Sequence, residues 1–357
     1  MGGDINFPST QNTPAICIVA VPESSGAVLY GLFEVLSAFG AAWAEVMGEP
    51  RNDAAFDVKI VASSCDPFTC VGGVPVTPHA SLQEVDVADV AIVTDLAINP
   101  DTNHEDKWPA VKSWLNRIYR AGGTVCSVCS GSVLLAGSSL LDDKPATTHW
   151  AYIDHFRRFY PQIKLEAGRV LVPVGEDGRI VTCGGMAAWE DLALYLIARY
   201  YGEGAAVNAA KLYLFGDRSE GQLVFAAMSK PKRHEDAVIA HLQQWLAQHY
   251  DTPSPVKAMV QQSALAERSL KRRFKAATGY TPIEYVQTLR IEEAKHMLEA
   301  STDAIDSIAR KAGYEDSTSF RRLFKRFTGV TPGRYRQRFQ SMTHRTCFGA
   351  GHAKREI

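Results

Sequence analysis

Apolar residues follow two rhythms along the chain. Four short runs, Ala15–Val21, Phe56–Ala62, Val87–Thr94 and Thr124–Val128, are rich in Val, Ile and Ala and have the length of buried strands. Four longer stretches, Val28–Phe39, Trp108–Arg120, Ser132–Leu141 and Ala187–Tyr201, return to apolar residues at helical spacing. The alternation predicts an α/β fold, a doubly wound and mostly parallel sheet with helices on both faces. In such sheets reactive residues gather where strands end and the following helices begin. The rhythm breaks at AAMSKPKR (226–233), which reads as a linker, and beyond it helical spacing persists to about Phe339. The pattern divides the chain into an α/β unit over 14–225, a linker over 226–235, an all-α unit over 236–339 and a polar tail over 340–357. Met1–Thr13 reads as a polar tail and not as a signal peptide, since no basic segment leads into an apolar run. No stretch approaches the roughly 18 uncharged apolar residues of a membrane span, so no membrane partner is expected.

Within the helical region the sequence repeats itself. SLKRRFKAATGYTPIEY (269–285) overlays SFRRLFKRFTGVTPGRY (319–335) at an offset of 50 residues, with nine identities in seventeen positions. Similarity at a fixed offset marks a duplicated supersecondary unit. Each copy fits a helix-turn-helix. In the second, Ala304–Lys311 is a helix buried through Ile305, Ile308 and Ala309. Gly313 supplies the turn, and Asp316 or Ser317 caps a helix over Ser317–Phe327. That helix turns Phe320, Leu323, Phe324 and Phe327 inward and leaves Thr318, Ser319, Arg321, Arg322, Lys325 and Arg326 outside. In the first, Ser254 caps, Pro255 opens a helix packed through Val256, Met259 and Val260, and a turn follows near Gln262–Ala264. Its second helix, Ala266–Ala277, exposes Arg268, Lys271, Arg272 and Lys275. Between the copies, Ile283, Val286, Leu289, Ala294 and Met297 trace one face of a long connecting helix.

Charge sharpens this division. The formal net charge of −1 conceals unlike halves: residues 1–230 hold 16 Lys+Arg against 26 Asp+Glu, and 231–357 hold 22 against 13. An acidic front and a basic back suggest a sensing or catalytic unit joined to one that binds a polyanion. A hydrophobic content of 46% over 357 residues excludes a disordered chain. Seven scattered Cys do not form a disulfide framework, and a reducing cytoplasm fits them best.

One basic amphipathic helix can be a solvated surface; two, each behind a short turn, point to DNA. The major groove admits an α-helix, and Arg reads guanine through two parallel hydrogen bonds. Two such helices held by a connecting helix would enter successive major grooves, roughly 34 Å apart. Residues 236–339 resemble the AraC-type double helix-turn-helix domain, and GYEDSTSFRRLFKRFTGVTPGRYR is similar to that family's second-motif signature. The resemblance places Arg268, Lys271 and Arg272 of the first recognition helix, and Thr318, Ser319 and Arg322 of the second, at base-reading positions. Ser263 departs from the glycine usual in the first turn.

The acidic half has one sharp local sequence, GGTVCSVCSGSVLLAGSSLLDDKPATTHW (122–150). An apolar strand runs into Cys129-Ser130-Gly131 and straight into a helix. This places Cys129 on a tight bend near a helix start, where a thiolate is favoured. His149, 20 residues on, is a candidate base or ion-pair partner. A small Cys packed at a tight turn is the alternative. Cys126 and Cys129 form C-x-x-C, a redox-pair pattern, but their spacing at a strand end puts the side chains on opposite faces. No metal-ligand spacing stands out, with His149 and His155 six apart. No Walker A or G-x-G-x-x-G motif follows a strand, and Gly72-Gly73 and Gly184-Gly185 read as turns. No cofactor is expected.

Residues 14–225 resemble the DJ-1/PfpI branch of the class I glutamine-amidotransferase-like fold. Cys129 through ATTHW, and WEDLALYLIARYYG (189–202), are similar to the sensor domain of GlxA-type AraC regulators. In enzymatic relatives an acidic residue supports the elbow Cys; aligned on YGLFEVL (30–36), that place holds Val28, and Glu23 lies five residues earlier. The resemblance implies a transcription regulator, not an enzyme. It would bind promoter DNA as a homodimer and sense a small molecule in a pocket around Cys129, Ser130 and His149. The signal would pass through the linker near Lys230, with RNA polymerase a candidate further partner. A Cys-dependent hydrolase or amidotransferase-like enzyme, and a thiol redox switch, stay open as alternatives.

Overall fold

Runs of Val, Ile and Ala can be buried on both sides only inside a sheet covered on each face, and the computed structural model places them there. It describes residues 13–48, 56–227 and 234–348; positions 1–12 and 349–357, and most of the expected linker (228–233), lie outside the described residues. The chain divides into two units between Gln222 and Leu223.

The first unit contains strands β1 (Ala15–Val19), β2 (Asp57–Ala62), β3 (Phe68–Thr69), β4 (Pro75–Val76), β5 (Ala80–Ser81), β6 (Val90–Val93), β7 (Thr124–Val128), β8 (Pro145–Ala146), β9 (Lys164–Leu165), β10 (Leu171–Val174) and β11 (Ile180–Cys183). Its helices are α1 (Gly26–Met47), α2 (Pro109–Arg120), α3 (Gly131–Ala136), α4 (Ile153–Phe159), α5 (Trp189–Tyr201) and α6 (Glu203–Tyr213). Seven strands form one sheet in the order β10-β11-β7-β6-β1-β2-β5, parallel throughout except for β10 against β11. Ile18 of β1 stands in register with Ile60 and Ile92 on its two neighbours. Alternate residues feed two cores: Ile16 and Ile18 join one, Cys17 and Val19 the other. The order reverses at β1, so the carboxyl ends of β1, β6 and β7 lie side by side at the switch point, the usual ligand position in such sheets.

α1 is the element that comes nearest to a membrane span. Over 18 residues its mean hydropathy reaches 1.5, so by length and composition it could cross a membrane. Glu34 interrupts the apolar run, which is why the uncharged-stretch criterion passes over it. Val28, Leu29, Leu32, Val35, Leu36 and Phe39 are buried against the sheet, as a core helix requires.

The second unit opens with the short turn Leu223–Phe225, whose Val224 is buried within it. It continues with α7 (Ala237–His249), α8 (Pro255–Ser263), α9 (Glu267–Thr278), α10 (Pro282–Ala300), α11 (Ile305–Lys311), α12 (Ser317–Thr328) and α13 (Pro332–Phe348). Two helix-turn-helix pairs, α8–α9 and α11–α12, each bury a separate cluster. Met259, Leu270, Phe274, Tyr285 and Val286 serve the first; Ile291, Ala294, Leu298, Ile308, Phe320 and Phe324 serve the second. The single inward face expected for α10 is therefore split. Its N-terminal half faces one core and its C-terminal half the other, and Ile283 is 46% exposed.

Candidate nucleic-acid interface and elbow site

Both recognition helices present the outer face that the repeat implies. On α9, Leu270, Phe274 and Thr278 are buried while Arg268, Lys271, Arg272 and Lys275 are exposed. On α12, Phe320, Phe324 and Thr328 are buried while Thr318, Ser319, Arg321, Arg322, Lys325 and Arg326 are exposed. Among the described residues no hydrogen bond or ion pair engages Arg268, Arg272 or Arg322. Lys271 pairs one helical turn back with Glu267 at 2.5 Å. Arg321 is held by Asp306 at 2.8 Å, and Arg326 reaches Gln287 Oε1 at 3.3 Å. Arg273, in the same basic run as Arg272, faces elsewhere: its Nε and Nη2 donate to the Asp236 carboxylate at 2.9 and 2.8 Å, locking α9 to the start of α7.

The two copies are capped differently. Asp316 caps α12 by accepting from Thr318 N at 3.0 Å and Ser319 N at 2.8 Å. The Ser319 hydroxyl and these amides hold its carboxyl below the usual carboxylate range. In the first motif Ser254 stands at the N-cap of α8, but its side chain accepts no capping hydrogen bond there. Its left-handed backbone, φ 51°, departs from cap geometry. α8 runs on to Ser263, so the left-handed turn position is Ala264 at φ 52°, where the second motif uses Gly313 at φ 84°.

In the first unit, β7 runs into Cys129 at φ 55°, a left-handed backbone rare outside glycine and costing roughly 1–2 kcal/mol. Gly131 then starts α3 against the end of β6, where any Cβ would collide with Thr94 O. The Ser130 hydroxyl donates to Leu96 O at 2.7 Å and accepts from Leu96 N at 2.8 Å, splinting the loop after β6 to the elbow. Ser130 thus holds the site's shape. Tyr152, whose hydroxyl donates to Ile98 O at 2.6 Å, closes over the same loop.

The electrostatics overturn the expected thiolate. Cys129 is 6% exposed, and burial pushes its thiol up to about 12, with Asp95 acting in the same direction. Desolvation outweighs what the six-residue α3 can supply. His149 is half-buried, its pKa lowered by burial. Its Nδ1 accepts from Ala151 N at 3.1 Å and its ring packs on Trp150, and among the described residues no hydrogen bond joins it to Cys129. The connection is indirect: Ser132 Oγ lies 2.8 Å from Cys129 O and 2.7 Å from Thr148 Oγ1, next in sequence to His149. Val28 is wholly buried in the core, and Glu23 pairs with Lys107 and Trp108 Nε1, so neither supports the thiol.

Cys126 and Cys129 share one core cluster instead of facing opposite ways, because the left-handed turn at Cys129 interrupts strand alternation. Both are free thiols, pushed up by burial. Among the described residues no group of three or more His, Cys, Asp or Glu is placed to hold a metal. Sequence reasoning missed Asp95. It is 5% exposed, its carboxyl is pushed up to about 6 by burial, and its Oδ1 has no hydrogen-bond partner among the described residues. A lone acid directly after a buried strand, at the carboxyl edge of a parallel sheet, was the available signal.

Comparison with known proteins agrees with this geometry. Residues 31–199 match the DJ-1/PfpI family, and residues 259–338 match a helix-turn-helix domain family. The HTH-type transcriptional regulator CdhR of Pseudomonas aeruginosa is 28% identical over 64% of this chain and 67% of its own. The HTH-type transcriptional regulator GlxA of Rhizobium meliloti is 27% identical over 63% of this chain and 68% of its own. The HTH-type transcriptional activator RhaS of Escherichia fergusonii is 38% identical over 29% of this chain and 37% of its own. The chain carries a DJ-1/PfpI-type unit followed by an AraC-type double helix-turn-helix unit, and it is a DNA-binding transcription regulator similar to GlxA and CdhR.

Proposed function

We propose that this regulator reads double-stranded promoter DNA by inserting α9 and α12 into successive major grooves. Arg268, Lys271 and Arg272 would contact bases from one helix, and Thr318, Ser319 and Arg322 from the other. The observation that carries this reading is the pair of exposed cationic faces at the same place in both repeat copies. The test is to recover genomic fragments retained by the full chain. A discrete set of sequences, bound with an affinity that falls steeply with salt, supports the reading. Equal retention by heparin and by every duplex removes it.

The α/β unit, on this reading, senses a small-molecule effector at the crevice around Cys129 and His149, with Ser130 fixing the adjoining loop, and does not turn over a substrate. The support is the inert nucleophile: a buried thiol whose pKa is pushed up by burial, with no hydrogen bond among the described residues to His149 and with the nearby Asp95 carboxyl opposing its ionisation. A buried thiol with a raised pKa is equally unsuited to a redox switch. Assays against amides and reactive aldehydes should show no turnover that Cys129→Ala abolishes; turnover lost with that substitution would restore the enzyme alternative. The regulator would act as a cytoplasmic homodimer, a state that sedimentation measures directly.

A further inference from the structure

The two helix-turn-helix motifs do not share a core. Each buries its own cluster, and of the described helices α10 is the one that contributes fully buried residues to both. Something must therefore fix how the second motif is turned relative to the first. At the middle of α10, between Val286 of one core and Ile291 of the other, stands Arg290. Its Nε donates to Tyr250 O at 2.7 Å and its Nη2 to Thr252 O at 3.0 Å. Tyr250 is the C-cap of α7, where the helix dipole favours a cation, and Thr252 lies in the short connection to α8. The same guanidinium lies over the Tyr314 ring, 5.3 Å from its centroid. Tyr314 follows the turn of the second motif and packs on Phe320, in the first turn of α12, with centroids 5.4 Å apart.

The backbones meet at this point as well. A Cβ on Gly313 would sit 2.7 Å from Asp251 Cα and 2.9 Å from Arg290 Cζ, so the turn of the second motif abuts the α7–α8 connection directly. At the far end of α7, Asp236 holds Arg273 of α9 through two hydrogen bonds. A continuous run of contacts thus joins the two recognition helices: α9, Arg273, Asp236, α7, Arg290, Tyr314, Phe320, α12.

We infer that Arg290 is the positioning residue that sets the spacing and angle between the two recognition helices, and so the separation of the two DNA segments that this regulator reads together. The inference rests on the proposal that both helices enter the duplex. Arg290 itself needs no contact with DNA. Its planar fork makes two hydrogen bonds and a ring contact at once, which the single ammonium of Lys cannot reproduce.

The experiment uses the full chain and a duplex selected by it from a random pool, with the two contacted segments mapped by base substitution. Two base pairs are then inserted between the segments. The parent should lose at least about tenfold in affinity, because insertion moves the second segment along and around the duplex. Arg290→Met should lose most of that penalty, falling to within about threefold, while base preferences inside each segment stay as in the parent. Arg290→Lys should fall between. A folded Arg290→Met, judged by helical circular dichroism, that keeps the parent's penalty overturns the inference. If Met prevents folding, an unchanged penalty in Arg290→Lys does the same, and so does a parent indifferent to the insertion. Failure of the parent to select any duplex strikes the DNA reading and is seen before any Arg290 variant is used.

Discussion

Arg272 and Arg322 occupy the same place in the two repeat copies, and each reaches solvent with no partner among the described residues. Replacing either by Ala should cost about 1–3 kcal/mol on the selected duplex and relax preference at one or two base positions. Equal loss on unrelated DNA would reduce both to phosphate contacts. Asp95 offers a second test. Its folded-state pKa of about 6 lies above the ordinary value of 3.8, so the folded chain holds this proton more tightly than the unfolded one. Its contribution favours folding below about pH 4 and is lost as pH rises through 6. Asp95→Asn should therefore stabilise the protein at pH 7 by on the order of 2–3 kcal/mol, and the advantage should shrink as pH falls toward 4. Urea unfolding at the two pH values measures it, and a difference independent of pH would show that the carboxyl does not titrate in this window. His149 and His155 run the other way: burial lowers both, so their contributions are present above about 6.5 and fade as pH falls. Readability at this scale followed motif. Cys129 and the recognition-helix arginines stood in recognisable patterns, whereas Asp95, Tyr152 and Arg290 matter through neighbours far away in sequence.

Among elements, the buried strands were the most legible. β1, β6 and β7 are buried on both faces, so each appears as a nearly continuous run, and β7 keeps its expected bounds; β2 starts with exposed Asp57 and Lys59 and is apolar on both faces only from Ile60 to Ala62. β10 was not legible because Pro173 interrupts a four-residue edge strand, and β11, IVTC, is too short to stand out. The two-residue ribbons β3–β4 and β8–β9 leave no periodicity at all. The first motif's turn shows why a one-residue offset matters. Ser263 aligns with Gly313, yet α8 extends through it and the left-handed position falls on Ala264. Ala264→Gly should relieve that strain and stabilise the unit by about 0.5–1 kcal/mol, less the entropy glycine adds to the unfolded chain. Thermal unfolding reads the sign, and a lower midpoint would mean that the unfolded-state term wins. Gly131→Ala should act oppositely, since its Cβ has no space beside Thr94 O, and should disorder the elbow.

For the whole molecule, two facts legible in the sequence, the charge asymmetry and the fifty-residue repeat, already separated an acidic α/β unit from a basic helical one. The division of α10 between two clusters was not legible, because a heptad-like count assumes one inward face, whereas this helix changes sides midway. That division has a physical outcome of its own. Each motif has a small hydrophobic cluster of its own, so each should have its own opening free energy, visible as two levels of amide-exchange protection. Phe274→Ala should lower protection across α8 and α9 while α11 and α12 keep theirs; uniform loss would mean a single cooperative block. If both motifs hold the duplex as proposed, one clasp can come undone while the other still holds.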